Sequence, residues 1–352
     1  MAITQTTVRL RLRAGLMSVL GTVIGLTSLC VGQASAMHGG SCQDVSLPVS
    51  LAVGQPADQT LAGTLCTPTV WASGPHSVDI LVHGATYNRV YWDWPQNPPA
   101  YSYVNSALQA GRATFAYDQL GSGVSSRPAS TALTPTSVAY SMHQAVQWLR
   151  GTQGFTQVTS IGHSFGSITS IHEAATYHDV NRVVVTGLLH AFGPAAVTGV
   201  ADFYPAALDP AFSGKISDLG YLTTVPGSRS DLFYDTNTAN PGVIAYDEVH
   251  KDVVSATFFG LGLGEFGVPA GLNIASGITV PVLSISGQED ALTCGLTLDC
   301  TNAAAVQANE TTYYTSAPSV STATMPDTGH DLNLHPSASS AYAIINGWIQ
   351  TH

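Results

Sequence analysis

Charge is what this chain has least of. Asp, Glu, Lys and Arg make up 9% of its 352 residues, beside 45% hydrophobic and 8% aromatic. A globular protein ordinarily carries about a quarter charged residues. A surface this poor in charge is solvated mainly by Ser, Thr, Asn, Gln and backbone, as is common in exported proteins. The charge it does have is one-sided, −11 overall with no basic run. Such a chain repels phosphate backbones, so nucleic acid is not an expected partner. No internal repeat or long low-complexity stretch is visible, which argues against a repeat architecture. There are five cysteines and no C-x-x-C pair, and no histidine cluster stands beside them. Neither a metal site nor a cofactor site is therefore expected.

What is present begins with an export signal. Arg9, Arg11 and Arg13 give a positive start, Gly15 to Val31 is apolar and uncharged, and Ala34-Ser35-Ala36 is a small-x-small cleavage site. The apolar run is short for a membrane span and the cleavage site follows it at once, so no stable anchor is expected. Removal of residues 1–36 would leave eight basic against 22 acidic residues, a net charge of −14. The protein is then secreted, or periplasmic where the source has an outer membrane. Cys30 leaves with the signal. The other four cysteines read as two disulfides, Cys42–Cys66 and Cys294–Cys300, because both pairings close short loops. Asn309-Glu310-Thr311 is a possible glycan acceptor. The oligomeric state stays open.

The remainder alternates short β-branched runs with longer amphipathic ones. Val45–Val53 and Gln59–Leu65 read as two antiparallel strands ahead of the main sheet. Further strands are expected at Val78–Val82, Ala113–Tyr117, Val158–Ile161, within Val180–Leu189, at Val280–Ile285 and at Ser319–Thr324. Helices are expected over Ser137–Leu149, Ser167–Tyr177 and Ser337–Ile349. The fold class is therefore α/β, a mostly parallel central sheet with helices on both faces. Ligand sites of such sheets lie off the carboxyl ends of the strands. His83, Asp118, Ser164 and Asp290 closely follow strands, and His330 lies a few residues beyond one. From Ala191 to Ile278 the alternation fails, leaving apolar pieces between Gly and Pro. This segment reads as a helical cap inserted between core segments 37–190 and 279–352.

Gly162-His163-Ser164-Phe165-Gly166 fits G-x-S-x-G between a strand and a helix. A sharp turn there pushes the serine into the open, only small flanking residues fit, and the helix start offers N–H groups to a developing anion. At this point the chain resembles the α/β-hydrolase family, from about Val78 to its end. His83-Gly84-Ala85-Thr86 is similar to the family's oxyanion turn, and Asp118 to Ser125 to its D-x-x-G-x-G-x-S loop. Gly287-Gln288-Glu289-Asp290 and Gly329-His330 are similar to the sites of its acid and its histidine.

The resemblance implies a serine hydrolase acting through an acyl-enzyme. Ser164 is the nucleophile, His330 the base and Asp290 the acid that orients it, with adjacent Glu289 its rival. The backbone N–H groups of Ala85 and Phe165 form the oxyanion hole. His83, His163 and Asp118 read as structural, and the region of His335 as helix capping. Gly121-x-Gly123 lacks a third glycine and a following helix, so no dinucleotide is expected. The elbow serine, the His83-Gly84 turn and the hydrophobic lid fit a small-molecule, apolar carboxylic ester or lactone with an acyl group of medium size. The same machinery would serve an amidase or peptidase, and the fold also hosts hydroxynitrile lyases, cofactor-free haloperoxidases and inactive binding proteins.

Overall fold

The β-branched runs become strands of one eight-stranded sheet. The structure is a computed structural model that describes Ala2 and residues 39–352. Apart from Ala2, the expected export segment, with Cys30, lies outside the described residues. The sheet strands are β1 (Gly40–Val49), β2 (Gln59–Pro68), β3 (Ser77–Val82), β4 (Ala113–Tyr117), β5 (Gln157–His163) and β6 (Arg182–Thr186). After the short strands β7 (Phe203–Pro205), β8 (Tyr221–Thr224) and β9 (Val254–Ser255) of the segment 191–278 come β10 (Val282–Gly287) and β11 (Val320–Met325). The order is β1-β2-β4-β3-β5-β6-β10-β11. From β4 to β11 every pairing is parallel, and β1 and β2 add on antiparallel. The first two strands are thus the edge of the main sheet rather than a separate hairpin. Cys42 and Cys66 face each other in the β1–β2 register and are bonded.

The central strands are apolar throughout because both faces are covered. In β3, Val78, Ile80, Leu81 and Val82 are all fully buried. Alternation splits them: Ile80 and Val82 join one core cluster, Leu81 the other. The first cluster takes the helix Pro135–Gly151, whose expected stripe of Val138, Met142, Val146 and Leu149 is buried. Each such side chain contributes roughly 1.5–3 kcal/mol on leaving water. Thr134 and Ser137 close a capping box at its start, with Pro135 in the first turn. The second cluster takes the closing helix, Ala338–Thr351. Asp79, the one charge within β3, is met by Arg112 at 2.9 Å and by the Tyr103 hydroxyl at 2.9 Å.

The segment 191–278 corrects the all-helical expectation. It carries a three-stranded antiparallel sheet of β7 (Phe203–Pro205), β8 (Tyr221–Thr224) and β9 (Val254–Ser255), among short helices such as Arg229–Phe233, Pro241–His250 and Ala256–Glu265. Strands of two to four residues are too short to show a period of two in sequence. The segment packs within the same compact unit as the sheet, Ala36–His352. Among the described residues no helix is long and apolar enough to cross a membrane.

Candidate active site

The turn that ends β5 is closely packed by backbone. Ser164 has φ 53 and ψ −120, a conformation that residues with a Cβ avoid. The glycines around it are sterically required. A Cβ on Gly162 would sit 2.5 Å from the Gly166 oxygen, and one on Gly166 would sit 2.1 Å from the Val82 oxygen. The helix Phe165–Tyr177 begins at once. Phe165 is its first residue, so its N–H has no partner within the helix.

On the far side of the sheet order, the turn after β10 carries Asp290 and the turn after β11 carries His330. Asp290 is fully buried. Its Oδ2 accepts from His330 Nδ1 at 2.9 Å, and its Oδ1 accepts from the Leu292 N–H at 3.0 Å. Burial by itself would raise the Asp290 carboxyl, but the His330 ring and these hydrogen bonds outweigh it and hold the group below its ordinary value. Burial likewise works against a charge on His330, yet Asp290 overcomes it and lifts the imidazole above 6.5. Nε2 of His330 is buried and has no hydrogen-bond partner among the described residues. Glu289, the rival acid, is exposed and takes no part.

Ser164 and His330 line one cleft of about 700 Å³, together with Gly84, Ala85 and Phe165. Its other walls come from Gly187 and Leu188 after β6, Leu292 and Thr293 after β10, and the inserted segment, which supplies Phe192, Phe203, Phe233, Phe259, Leu263 and Phe266. Phe165 stacks on Phe259, centroids 4.8 Å apart, and Phe203 packs on the same ring at 4.5 Å. Among the described residues no Asp, Glu, Lys or Arg lines this cleft.

The residues set aside as structural do brace the site. His83 Nε2 accepts from the Gln119 N–H at 3.0 Å and Nδ1 donates to the Gly84 oxygen at 2.8 Å. Asp118 accepts from the N–H groups of Arg89 and Val124 and pairs with the Arg89 guanidinium. The His335 oxygen accepts from the N–H of Ala338, the first residue of the closing helix, at 3.0 Å, and its side chain does more. Its Nε2 accepts from the Gly329 N–H at 3.1 Å and its Nδ1 donates to the Asp331 oxygen at 2.8 Å, so it pins the turn that carries His330. Asn309 lies within the helix Ala303–Thr311, where its amide donates to the His190 oxygen at 3.2 Å, unlike the amide of an open loop acceptor.

A buried polar network behind the cleft escaped the sequence reading. Arg229, fully buried, grips both oxygens of Asp247 at 2.8 Å and donates to Thr86 Oγ1 at 2.8 Å. Tyr234 donates to Asp247 at 2.9 Å, and the Tyr87 hydroxyl reaches both Asp247 and Asp331. Asp331, next to His330, also meets His163 Nε2 at 3.1 Å. Burial, first of all, pushes the Asp247 and Asp331 carboxyls up and drives His163 well below its ordinary value. Arg229 is the one Arg between residues 191 and 278, but it stands among Gly, Ser and Asp and its partners lie far off in sequence, so no local pattern marked it.

With this geometry in place, comparison with known proteins supplies the family. A model described as "Alpha/beta hydrolase family" matches residues 80–341. The chain belongs to the alpha/beta hydrolase family. Among curated proteins no relative matches. Among solved structures this hydrolase-family chain is similar to a highly thermostable carboxyl esterase from Bacillus coagulans. Identity is 15% over 88% of this chain and 98% of that one, with a TM-score of 0.61. It is similar to a thermophilic esterase from Thermogutta terrifontis, with 17% identity, 88% and 98% coverage and a TM-score of 0.58. It is also similar to an enol-lactonase from Burkholderia xenovorans LB400, with 17% identity, 87% and 100% coverage and a TM-score of 0.54. At these identities the likeness is one of fold.

Proposed function

We propose that this protein hydrolyses small, neutral, apolar carboxylic esters or lactones through Ser164, His330 and Asp290. The observation that carries the reading is the meeting, at one apolar cleft, of a serine held on a strained turn and a histidine whose other nitrogen is bound to a buried carboxylate. His330 Nε2 takes the Ser164 proton as Oγ attacks the acyl carbon. The oxyanion so formed is received by the N–H groups of Phe165 and Ala85, each such donor worth ~3 kcal/mol of barrier. Collapse breaks the ester bond, His330 gives its proton to the departing alkoxide, and an acyl-enzyme remains. Water then attacks the acyl carbon, its proton passing to His330 and on to Ser164 as the acid leaves.

The solved esterases and lactonase of the same fold support the ester class. The cleft's lack of charged walls favours a neutral acyl group over a peptide, whose termini and side chains seek ionic partners. The segment 191–278 acts as a cap over the acyl site, supplying most of its aromatic wall. Export by the amino-terminal signal completes the reading and places the protein outside the cytoplasm.

The test is turnover of nitrophenyl esters of graded chain length, beside a Ser164→Ala control. The variant should fold normally by circular dichroism and lose at least ~1000-fold in kcat. A serine-directed fluorophosphonate should label wild type at Ser164 alone. Equal turnover in the two proteins, or labelling elsewhere, overturns the assignment.

A further inference from the structure

Away from the cleft, three chain segments bring His143, Glu173 and Asp179 together, each with a potential ligand atom within 4.8 Å of the others. His143 lies on the helix Pro135–Gly151, Glu173 near the end of the helix Phe165–Tyr177, and Asp179 in the loop that leads to β6. Glu173 is fully buried, and neither of its carboxylate oxygens has a hydrogen-bond partner among the described residues. Asp179 Oδ1 is likewise without one. His143 Nδ1 stands 2.7 Å from Asp179 Oδ2 and pairs with it when the ring is protonated. Buried polar atoms are almost always paired, because leaving one unmade costs about 1–3 kcal/mol and more for a charged group. These groups lie against one another, so one shared proton or one bound cation would complete them.

We propose that His143, Glu173 and Asp179 form a structural site for a zinc-class divalent cation. One imidazole nitrogen and two carboxylates are a donor set suited to such an ion, whereas calcium takes six to eight oxygens. Ligands about 2.1 Å from a tetrahedral ion lie roughly 3.4 Å apart, within the spread found here. His143 and Asp179 keep 22% and 13% of their side-chain surface exposed, which leaves an entry path and room for a water as fourth ligand. The surroundings hold the ligands in place. The Tyr177 ring stacks on His143 with centroids 4.0 Å apart, and Gln147 donates to Asp179 Oδ2 at 2.7 Å. The nearby cation Arg150 opposes the ion, but it is engaged with the carbonyls of Asp179 and Thr156 and with Asn181 Oδ1. A cation here ties the far end of the Ser164 helix to its neighbour. The site owes nothing to the esterase reading and stands or falls without it.

The competing occupant of so compact a group is a proton shared between the two carboxylates, and one experiment separates them. The purified protein, made without a histidine tag and stripped by chelator, is titrated with zinc chloride. Calorimetry and thermal unfolding are followed, with calcium and magnesium chlorides as controls. One equivalent of zinc should bind and raise Tm by about 3 °C or more, with no comparable effect of calcium or magnesium. His143→Ala, at a partly exposed position, and Glu173→Gln should both abolish the rise. If Glu173→Gln fails to fold, the His143 variant decides alone. Wild-type protein that shows no zinc-dependent rise, a rise matched by calcium, or a rise that survives the His143 substitution overturns the proposal.

Discussion

Ser164 adopts a backbone conformation forbidden to most residues with a side chain, and the two glycines beside it leave the space in which it can do so. Asp290 and His330 show the complementary case, in which charge decides over burial. Burial alone would push the Asp290 carboxyl up and the His330 ring down, and their mutual attraction reverses both directions. The sign of the pH dependence follows. In the proposed mechanism His330 works as neutral imidazole, so activity should be lost as pH falls through its pKa, which Asp290 raises above the ordinary value of about 6.5. The rising limb of kcat/KM against pH should therefore have its midpoint above 6.5. Asp290→Asn should move that midpoint down and lower kcat by about 10³–10⁴-fold, since an amide favours the wrong tautomer. A variant with wild-type kcat and an unmoved limb would remove Asp290 from the reaction.

At the scale of elements, the site is a set of strand ends, and two devices keep those ends in register. One is the close approach of the Ser164 turn to β3. A Cβ on Gly166 would meet backbone rather than a side chain that can swing away. Gly166→Ala should cost about 3 kcal/mol or more, read from denaturant unfolding, beyond the usual range for an added methyl. The other is the Cys294–Cys300 disulfide, which closes the loop that leaves Asp290, where the Cys294 N–H also donates to the Asp290 oxygen at 2.8 Å. Opening it by a Cys294→Ser, Cys300→Ser pair should cost about 2 kcal/mol by loop entropy and also lower kcat. Opening Cys42–Cys66, at the far edge of the sheet, should cost stability and leave kcat nearly unchanged. Equal kcat losses from the two pairs would show that the loop does not hold the acid in place.

Within the unit Ala36–His352, buried charge fastens the segment 191–278 to the sheet. Arg229 and Asp247 belong to the insertion, Thr86 and Tyr87 to the turn after β3, and Asp331 to the turn that carries His330. The network therefore joins the segment 191–278, the turn after β3 and the turn that carries His330 through hydrogen bonds with no exposed member. Removing one partner of a buried pair strands the other, which typically costs about 3–5 kcal/mol. Arg229→Ala should lose stability of that order in urea unfolding, and kcat should fall further than KM rises because the oxyanion turn loosens. A variant within ~1 kcal/mol of wild type would mean that the pair does not fasten the insertion.

The sequence by itself determined whatever depends on neighbours along the chain. The β-branched runs, the helix stripes, the Gly-x-Ser-x-Gly turn and the order of Ser164, Asp290 and His330 were legible because turn geometry and periodicity act over a few residues. Both disulfides were also legible, since each closes a short loop. Only the tertiary structure decided what depends on groups distant in sequence. It turned Asp290 rather than Glu289 toward His330, joined β1 and β2 to the main sheet, and formed the three short strands within 191–278. It also assembled Arg229, Asp247, Tyr87 and Asp331, and His143, Glu173 and Asp179. Cross-strand pairing and burial of charge are set by which surfaces meet after the chain has closed on itself, and no local pattern records that meeting.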